Sequence, residues 1–470
     1  MRKICFFATL AAAFLLVSCT EIPERMELSV NGSSYSIALS DSAVVDLLTL
    51  STEFDAEVKV ANHRQFDRLS VNGVPMARGR ASVPVEEIDK DTYLSLEWAT
   101  GNASGTLLLR TFPAVWPEII ASGHATSPGD FYLSYVYLRL IQKYDNNGKI
   151  VFFGCEPRKV TDGNDSSGWW DFRKHTVNGK TYYSYHAPDT AFADRQFLGY
   201  NPGKRVLLDD HYRPVGEIHL KADRTGLVQE GDPIDGHDFY LFDLRHYIVS
   251  AYIERDGVYA AYLQEVQDGQ VVFDWWSTDH PELARWLDPV FEASAGKDYV
   301  HFNSIDILPD GNWLCSLRHI SSLVKIDRAG ETGNILWRIA GAELPAGLAF
   351  HGQHCARWHA EDGTISLFDN GNGPGVTSLL RLSVDPETGS VSGGGNLLSD
   401  SFPAYFSQAC GALTFSDGYS IAGWGMPDPT GPNDRLLSEF DPAGNEVFSL
   451  RYGPGIPYPV LTCSYRCVKE

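Results

Sequence analysis

Cationic side chains are scarce in this chain. Its 470 residues carry 38 Lys and Arg against 60 Asp and Glu, a formal net charge of −22. A surface of that sign repels nucleic acid, and it repels small anions wherever no local cluster of His or Arg overrides the field. No CxxC occurs, and no structural zinc spacing is present. Beyond the N-terminal leader no apolar run is long enough for a transmembrane helix. Long helical periodicity is also missing. What the chain does have is 43 Gly, 25 Pro and 12% aromatic residues. Aromatic strand formers punctuated by many turn formers indicate an all-β fold.

The leader has its own logic. Arg2 and Lys3 precede an apolar run from Ile4 to Val17, which is too short to span a bilayer and has the flanks of a signal peptide. It ends Leu16-Val17-Ser18-Cys19, which resembles the bacterial lipobox. That resemblance implies a lipoprotein signal peptide over residues 1–18 and lipidation of Cys19, with the protein held at the bacterial cell envelope through its lipid alone. Of eight cysteines, Cys5 leaves with the leader and Cys19 takes the lipid. Cys155, Cys315, Cys355, Cys410, Cys463 and Cys467 remain, and sequence does not dictate their pairing.

A chain of this length exceeds one ordinary domain. Short alternating segments such as "MELSVNG", "AEVKVA" and "YLSLEWA" fill the region up to Phe112, with Gly, Asn and Asp between them. They predict a small antiparallel β-sandwich over residues 19–112. The stiff segment "TFPAVWP" at 111–117 marks the joint.

Beyond it a hairpin recurs: an apolar strand, turn residues with Gly, and a second apolar strand. It is read at "LIQKYDNNGKIVFFG", "KRVLLDDHYRPVGEIHL", "YLQEVQDGQVVFDWW", "LVKIDRAGETGNILWRIAG", "LLRLSVDPETGSVSGG" and "LLSEFDPAGNEVFSLRYG". A second hairpin with an Asp-Gly turn precedes the later copies, as in "HFNSIDILPDGNWLCSLR". Each unit is therefore a four-stranded meander that cannot bury both faces alone. Radial stacking closes such units into a β-propeller, here six-bladed over residues 113–470, with the C-terminal strand closing the ring.

Polar residues stand at the heads of otherwise apolar strands. Aligned on the turn glycines Gly311 and Gly363, His301 and His354 occupy equivalent positions, and His237 heads its own strand. Arg318 and Asn370 follow the same two glycines by seven residues. Inner strands of a propeller converge on the axis, so His237, His301 and His354 are expected in one funnel, with Arg318 beside His301. Period-two alternation puts Asn303 on the same face as His301. A donor-rich, cationic pocket in an acidic protein suits a tetrahedral oxyanion, either phosphate or sulfate. The guanidinium argues against a dication among the imidazoles. His124, His175, His246, His319, His351 and His359 read as ordinary hydrogen-bonded strand and turn residues.

"DGHDF", "HFNSIDILPDGNWLCSLR", "ILWRIAG", "GQHCARW", "LFDNG" and the closing "SYR", in this order, resemble the PAPS-independent arylsulfate sulfotransferases. The resemblance runs from about Gly236 onward and implies a six-bladed propeller behind a small β domain. It further implies sulfuryl transfer from a phenolic sulfate ester to a phenol through a covalent sulfohistidine, without nucleotide, metal or other cofactor. Carried over residue by residue, His354 is the histidine that is sulfated, His237 and His301 flank the sulfuryl group, and Asn303 and Arg318 bind its oxygens. His301 is the first choice for proton donation to the leaving phenol, with His237 second. The first two blades are weak copies of the repeat and are candidates for the acceptor's aromatic wall. The rival readings are a non-catalytic propeller lipoprotein that binds a sulfated or other anionic ligand, and a hydrolase with water as acceptor.

Overall fold

The computed structural model describes residues 23–30, 33–39, 44–46, 49–51, 56–84, 93–101, 103–110, 118–155, 168–195, 199–427, 434–453 and 463–470. The leader, Cys19 and the 111–117 joint with its 112/113 boundary lie outside the described residues.

Two compact units divide the chain. The smaller takes Met1–Val45, Asp55–Pro84 and Thr92–Arg110. Its first sheet runs Ser33–Ala38, Arg25–Val30, Ala56–Val60, Arg80–Val83, and Tyr93–Thr100 pairs antiparallel with Ala103–Arg110 in a second. Alternation is strict: Met26, Leu28 and Val30 are buried while their neighbours on the strand are less so, as the period of two requires.

The larger unit is a β-propeller of antiparallel sheets. Among the described residues six four- or five-stranded sheets belong to it, with a separate two-stranded piece, Ser407–Ala409 against Met426–Pro427. Four sheets are continuous meanders, such as Phe302–Ile307, Trp313–Leu317, Ser322–Ile326, Ile335–Ala340. All six recurrent hairpins of the sequence form paired strands within these sheets. The turns of the second hairpins need left-handed backbone, which Gly311 (φ +82°), Gly363 (φ +68°) and Gly418 (φ +80°) supply where a Cβ would be strained.

Two exchanges between the chain's ends hold the remaining sheets. Val468–Lys469 pairs with Phe131–Ser134, and Ile119–Gly123 pairs with Glu446–Tyr452. The strand Thr49–Ser51 also belongs to this unit, pairing with Ile150–Cys155. Apolar clusters fill the spaces between adjacent sheets. One gathers Ile248, Leu263 and Trp275 from one sheet with Ile305, Trp313 and Val324 of the next. A core built between neighbours makes each sheet dependent on the two beside it.

Candidate functional site

The inner strands begin with a kink. His301 (φ +50°), Cys355 (φ +55°) and Cys410 (φ +61°) all take left-handed backbone at or near the head of a strand or bridge, and Asp171 (φ +52°) does so in an earlier sheet. Register slips accompany them, between Phe302 and Ser304, between His354 and Arg357, and between Trp170 and Arg173. For non-glycine residues such backbone costs about 1–3 kcal/mol each, and surrounding structure must hold it in place. Here Asp298 Oδ1 accepts from the His301 amide at 2.9 Å, and the His301 carbonyl accepts from the Arg318 amide at 2.8 Å. The kinks are β-bulges that re-aim strand heads toward the axis.

They surround a cavity of about 650 Å³ lined by His237, His301, His319, His354 and Arg318. The expected gathering of His237, His301, His354 and Arg318 is therefore present. His237 lies in the bend before strand Tyr240–Asp243, not within it. The His237 and His301 rings meet edge to face with centroids 5.0 Å apart. Trp170, Phe291, Val136, Val290, Met426 and Tyr465 supply apolar wall. Val136 and Trp170 come from the first two sheets of the propeller, where the repeat is weakest in sequence. Trp170 stacks on Tyr465 (4.6 Å, 9°), whose hydroxyl donates to the His237 carbonyl at 2.6 Å. Imidazoles and a guanidinium are thus set directly against aromatic wall, Trp170 and Tyr465 beside His237 and Phe291 beside His319 and Arg318, a mixture common in small-molecule sites.

Each of the three predicted histidines is anchored through Nδ1. Asp235 faces His237 Nδ1 at 2.8 Å and Asp298 faces His301 Nδ1 at 2.5 Å. For His354 the partner is Asn370 Oδ1, at 2.6 Å. With Nδ1 committed, each ring has only Nε2 left to offer a ligand. Burial, with Arg318 and the neighbouring rings, holds His354 well below the ordinary histidine range. Burial, His237 and Arg318 do the same to His301. Burial also pushes the Asp298 carboxyl up to about 6. Asp298 and His301 share one short hydrogen bond, so they titrate as a pair.

Arg318 stacks over Phe291, 4.6 Å from the ring centre. One of its terminal nitrogens donates to the Gln408 carbonyl at 2.9 Å. Its Nε is buried and has no protein partner among the described residues. Burial draws the guanidinium down to about 10, which leaves it cationic at neutral pH. No carboxylate pairs with it among the described residues, an unusual state for a buried cation and one that favours an anionic ligand.

One sequence expectation needs correction. Asn303 does not line the cavity. Its amide donates to the Gln353 carbonyl at 2.6 Å, supporting the residue that precedes His354. The period-two argument fails because the bulge at Phe302–Ser304 and the left-handed His301 break the alternation. Asp238, next to His237 in sequence, pairs with arginines instead. Burial would raise its pKa, but Arg357 (2.9 Å), Arg466 (3.0 Å) and Arg173 (3.1 Å) hold it at about 2. With Asp171 it forms a buried ionic network that ties the C-terminal segment to three other sheets. Gln353 is likewise scaffold: its amide donates to Ser316, Leu317 and Ser322 of the neighbouring sheet.

His319 also enters the cavity, contrary to its assignment as an ordinary strand residue. Its Nδ1 donates to the Asp298 carbonyl at 2.5 Å, and burial, then His301, brings it down to about 3. Asp298, His301 and His319 place possible ligand atoms within 4.8 Å of one another. Both Nδ1 atoms are already spent on Asp298 and Arg318 stands beside them, so the cluster reads as a hydrogen-bonded support for His301. The signal for Asp235 and Asp298 was present, an acid two or three residues before a strand-head histidine. Asn370 stood in the same alignment column as Arg318. Cys315, Cys355, Cys410, Cys463 and Cys467 are all buried. Cys410 lines the cavity, and burial pushes its thiol up to about 12, where it is inert.

Residues 249–402 match the family model described as "Arylsulfotransferase (ASST)". The matched segment holds His301, Asn303, Arg318, His354 and Asn370, while His237 lies before it. No curated protein matches the chain. Among solved structures, a protein of unknown function from Bacteroides caccae is 12% identical, over 73% of this chain and 98% of that one, with a TM-score of 0.43. A quinonprotein alcohol dehydrogenase-like protein from Bacteroides thetaiotaomicron is 10% identical, over 92% and 96%, with a TM-score of 0.37. A streptogramin B lyase is 11% identical, over 70% and 87%, with a TM-score of 0.34. None of these likenesses bears on function.

Proposed function

The chain carries an arylsulfotransferase-family segment, and on that premise we propose that it moves a sulfuryl group from a phenolic sulfate ester to a phenol by way of a sulfated His354. One observation carries the reading: a buried Arg318, with no carboxylate ion pair and no Nε partner among the described residues, stands among three imidazoles that present Nε2 in a cavity with aromatic walls.

The donor's aryl group fits against Trp170, Phe291 and Tyr465, with its sulfate among the imidazoles. Arg318 and His237 hold the equatorial oxygens, where charge resides during in-line transfer. The Nε2 lone pair of His354 attacks sulfur. Its lowered basicity keeps it unprotonated and competent at neutral pH. The S–O bond to the aryl oxygen breaks, and its electron pair goes to the departing phenolate. That oxygen has a conjugate-acid pKa near ~10, so a proton from the Asp298–His301 pair, delivered through His301 Nε2, assists departure. An acceptor phenol then gives its proton back to the pair and attacks sulfur, and the S–N bond breaks with its pair returning to Nε2. Asn303 supports this site from behind rather than binding oxygen.

Turnover of p-nitrophenyl sulfate with and without added phenol tests the reading. The transferase releases about one equivalent of nitrophenol per chain and then requires phenol to continue. Release that runs on in water alone would make the protein a hydrolase. Tight donor binding with no release would make it a binding protein. Lipidation at Cys19 and residence at the cell envelope are also proposed, on the leader alone. Cys19→Ala should move the protein into the soluble fraction, and unchanged membrane recovery would defeat that part.

A further inference from the structure

The three histidines differ in what stands behind them. His237 and His301 are backed by carboxylates, Asp235 and Asp298. His354 is backed by an amide, and the orientation of that amide is determined by its other contacts. Asn370 Nδ2 donates to the Ser407 carbonyl at 2.8 Å and to the Cys410 carbonyl at 3.0 Å. Both partners only accept, so the nitrogen of the amide must face them. Its oxygen must then face His354, and at 2.6 Å it can only accept the Nδ1 proton. Asn370 has no solvent exposure and His354 is 2% exposed, so water does not compete for either group.

We propose that Asn370 is the positioning residue that makes His354 the sulfated histidine, by fixing its proton on Nδ1 in the free chain and keeping it there in the adduct. The proposal rests on sulfuryl transfer as the reaction. It adds a reason for the choice of nucleophile and for the lifetime of the intermediate. When Nε2 bonds to sulfur, the ring has a substituent on one nitrogen and a proton on the other, and is cationic. A carboxylate behind Nδ1 would draw that proton off and leave an uncharged ring bearing the sulfo group, which must depart as the poorer leaving group imidazolate. An amide oxygen is far too weak a base to do so. The ring of the adduct therefore stays cationic, balancing the sulfo group's negative charge, and on attack by the acceptor oxygen the S–N bond breaks to return a neutral imidazole. Behind His237 and His301 stand carboxylates instead, an arrangement that suits oxygen binding and proton transfer rather than attack on sulfur.

The test uses the full chain with ¹⁵N-labelled histidine. In the free protein, imidazole nitrogen shifts should show His354 protonated at Nδ1 and bare at Nε2, assigned by the loss of its signals in His354→Asn. Asn370→Ala should release the tautomer and slow the first-turn release of nitrophenol by at least tenfold. Asn370→Asp should leave an adduct that survives at least tenfold longer when phenol is added, by intact mass. Circular dichroism of both variants, and donor affinity measured on each, separate loss of fold from loss of position. A proton found on Nε2 of the free protein overturns the proposal, whatever the variants do. So does unchanged kinetics of both half-reactions in two folded variants. If the wild type forms no adduct, sulfuryl transfer through His354 fails, and the nitrogen shifts still decide the tautomer.

Discussion

Gly199 offers a way to move one catalytic ring without deleting it. A Cβ built there would lie 2.5 Å from His301 Cε1 and 3.2 Å from Nε2. Ordinary carbon contacts are at about 3.5–4.0 Å, so in Gly199→Ala the ring must retreat by roughly 1 Å. It has little room to do so. Asp298 grips Nδ1 at 2.5 Å, and the rings of His319 and His237 lie at 4.5 Å and 5.0 Å. The position also has φ +86°, which adds about 1–2 kcal/mol of backbone strain for alanine. Displacement by about 1 Å costs on the order of a hundredfold in rate where geometry matters. We expect that loss in the first half-reaction, read as the stopped-flow burst from aryl sulfates. It should be larger for phenyl sulfate than for p-nitrophenyl sulfate, because the poorer leaving group depends more on the proton from His301. Thermal unfolding would register only the backbone strain. A folded variant with the parent's burst rate would refute the role of His301 in departure. An equal loss for both esters would assign His301 to oxygen binding alone.

Other consequences follow from the same geometry. Arg318→Lys should fold normally, since the guanidinium meets a carbonyl, the Asn372 amide oxygen at 3.5 Å and a ring face, and should lose about tenfold or more in turnover through loss of the planar fork; an unfolded variant by circular dichroism would make Arg318 structural. His354→Asn should abolish both burst and mass adduct while still binding donor in equilibrium dialysis, and an adduct that persists would move the nucleophile elsewhere. Because His354 is held well below the usual histidine value, the burst rate should not fall as pH drops from 7.5 to 5.5, whereas an unperturbed histidine would lose about tenfold. Burial pushes the Asp369 carboxyl up to about 7, above its unfolded value, so its ionisation costs stability as pH rises through that range. Asp369→Asn keeps an oxygen for the His351 and Gly371 amides and should raise the melting temperature at pH 8 more than at pH 5; an equal shift at both would contradict the buried charge.

Strand-and-turn structure is written locally, and so the sequence alone determined much of this protein. Alternating apolar residues, Asp-Gly turns and six recurrent hairpins were enough to specify an all-β chain with a propeller, because strand period and turn chemistry act over a few residues. Aligning those turns also brought His237, His301, His354 and Arg318 to one place, since equivalent positions of stacked units face the same axis. What the tertiary structure decided depends on contacts between distant residues. Asn303 turned out to be scaffold because a bulge breaks the alternation, and that bulge persists only while Asp298 and Arg318 hold the His301 backbone. Asp238 went to Arg357 and Arg466, which are 119 and 228 residues away in sequence. Which nitrogen of His354 is free depends on Asn370, and the orientation of Asn370 depends on the carbonyls of Ser407 and Cys410, on a segment 37 and 40 residues further on. A proton's position on a ring is set by whatever packs against its far side, and only the folded chain brings that group there.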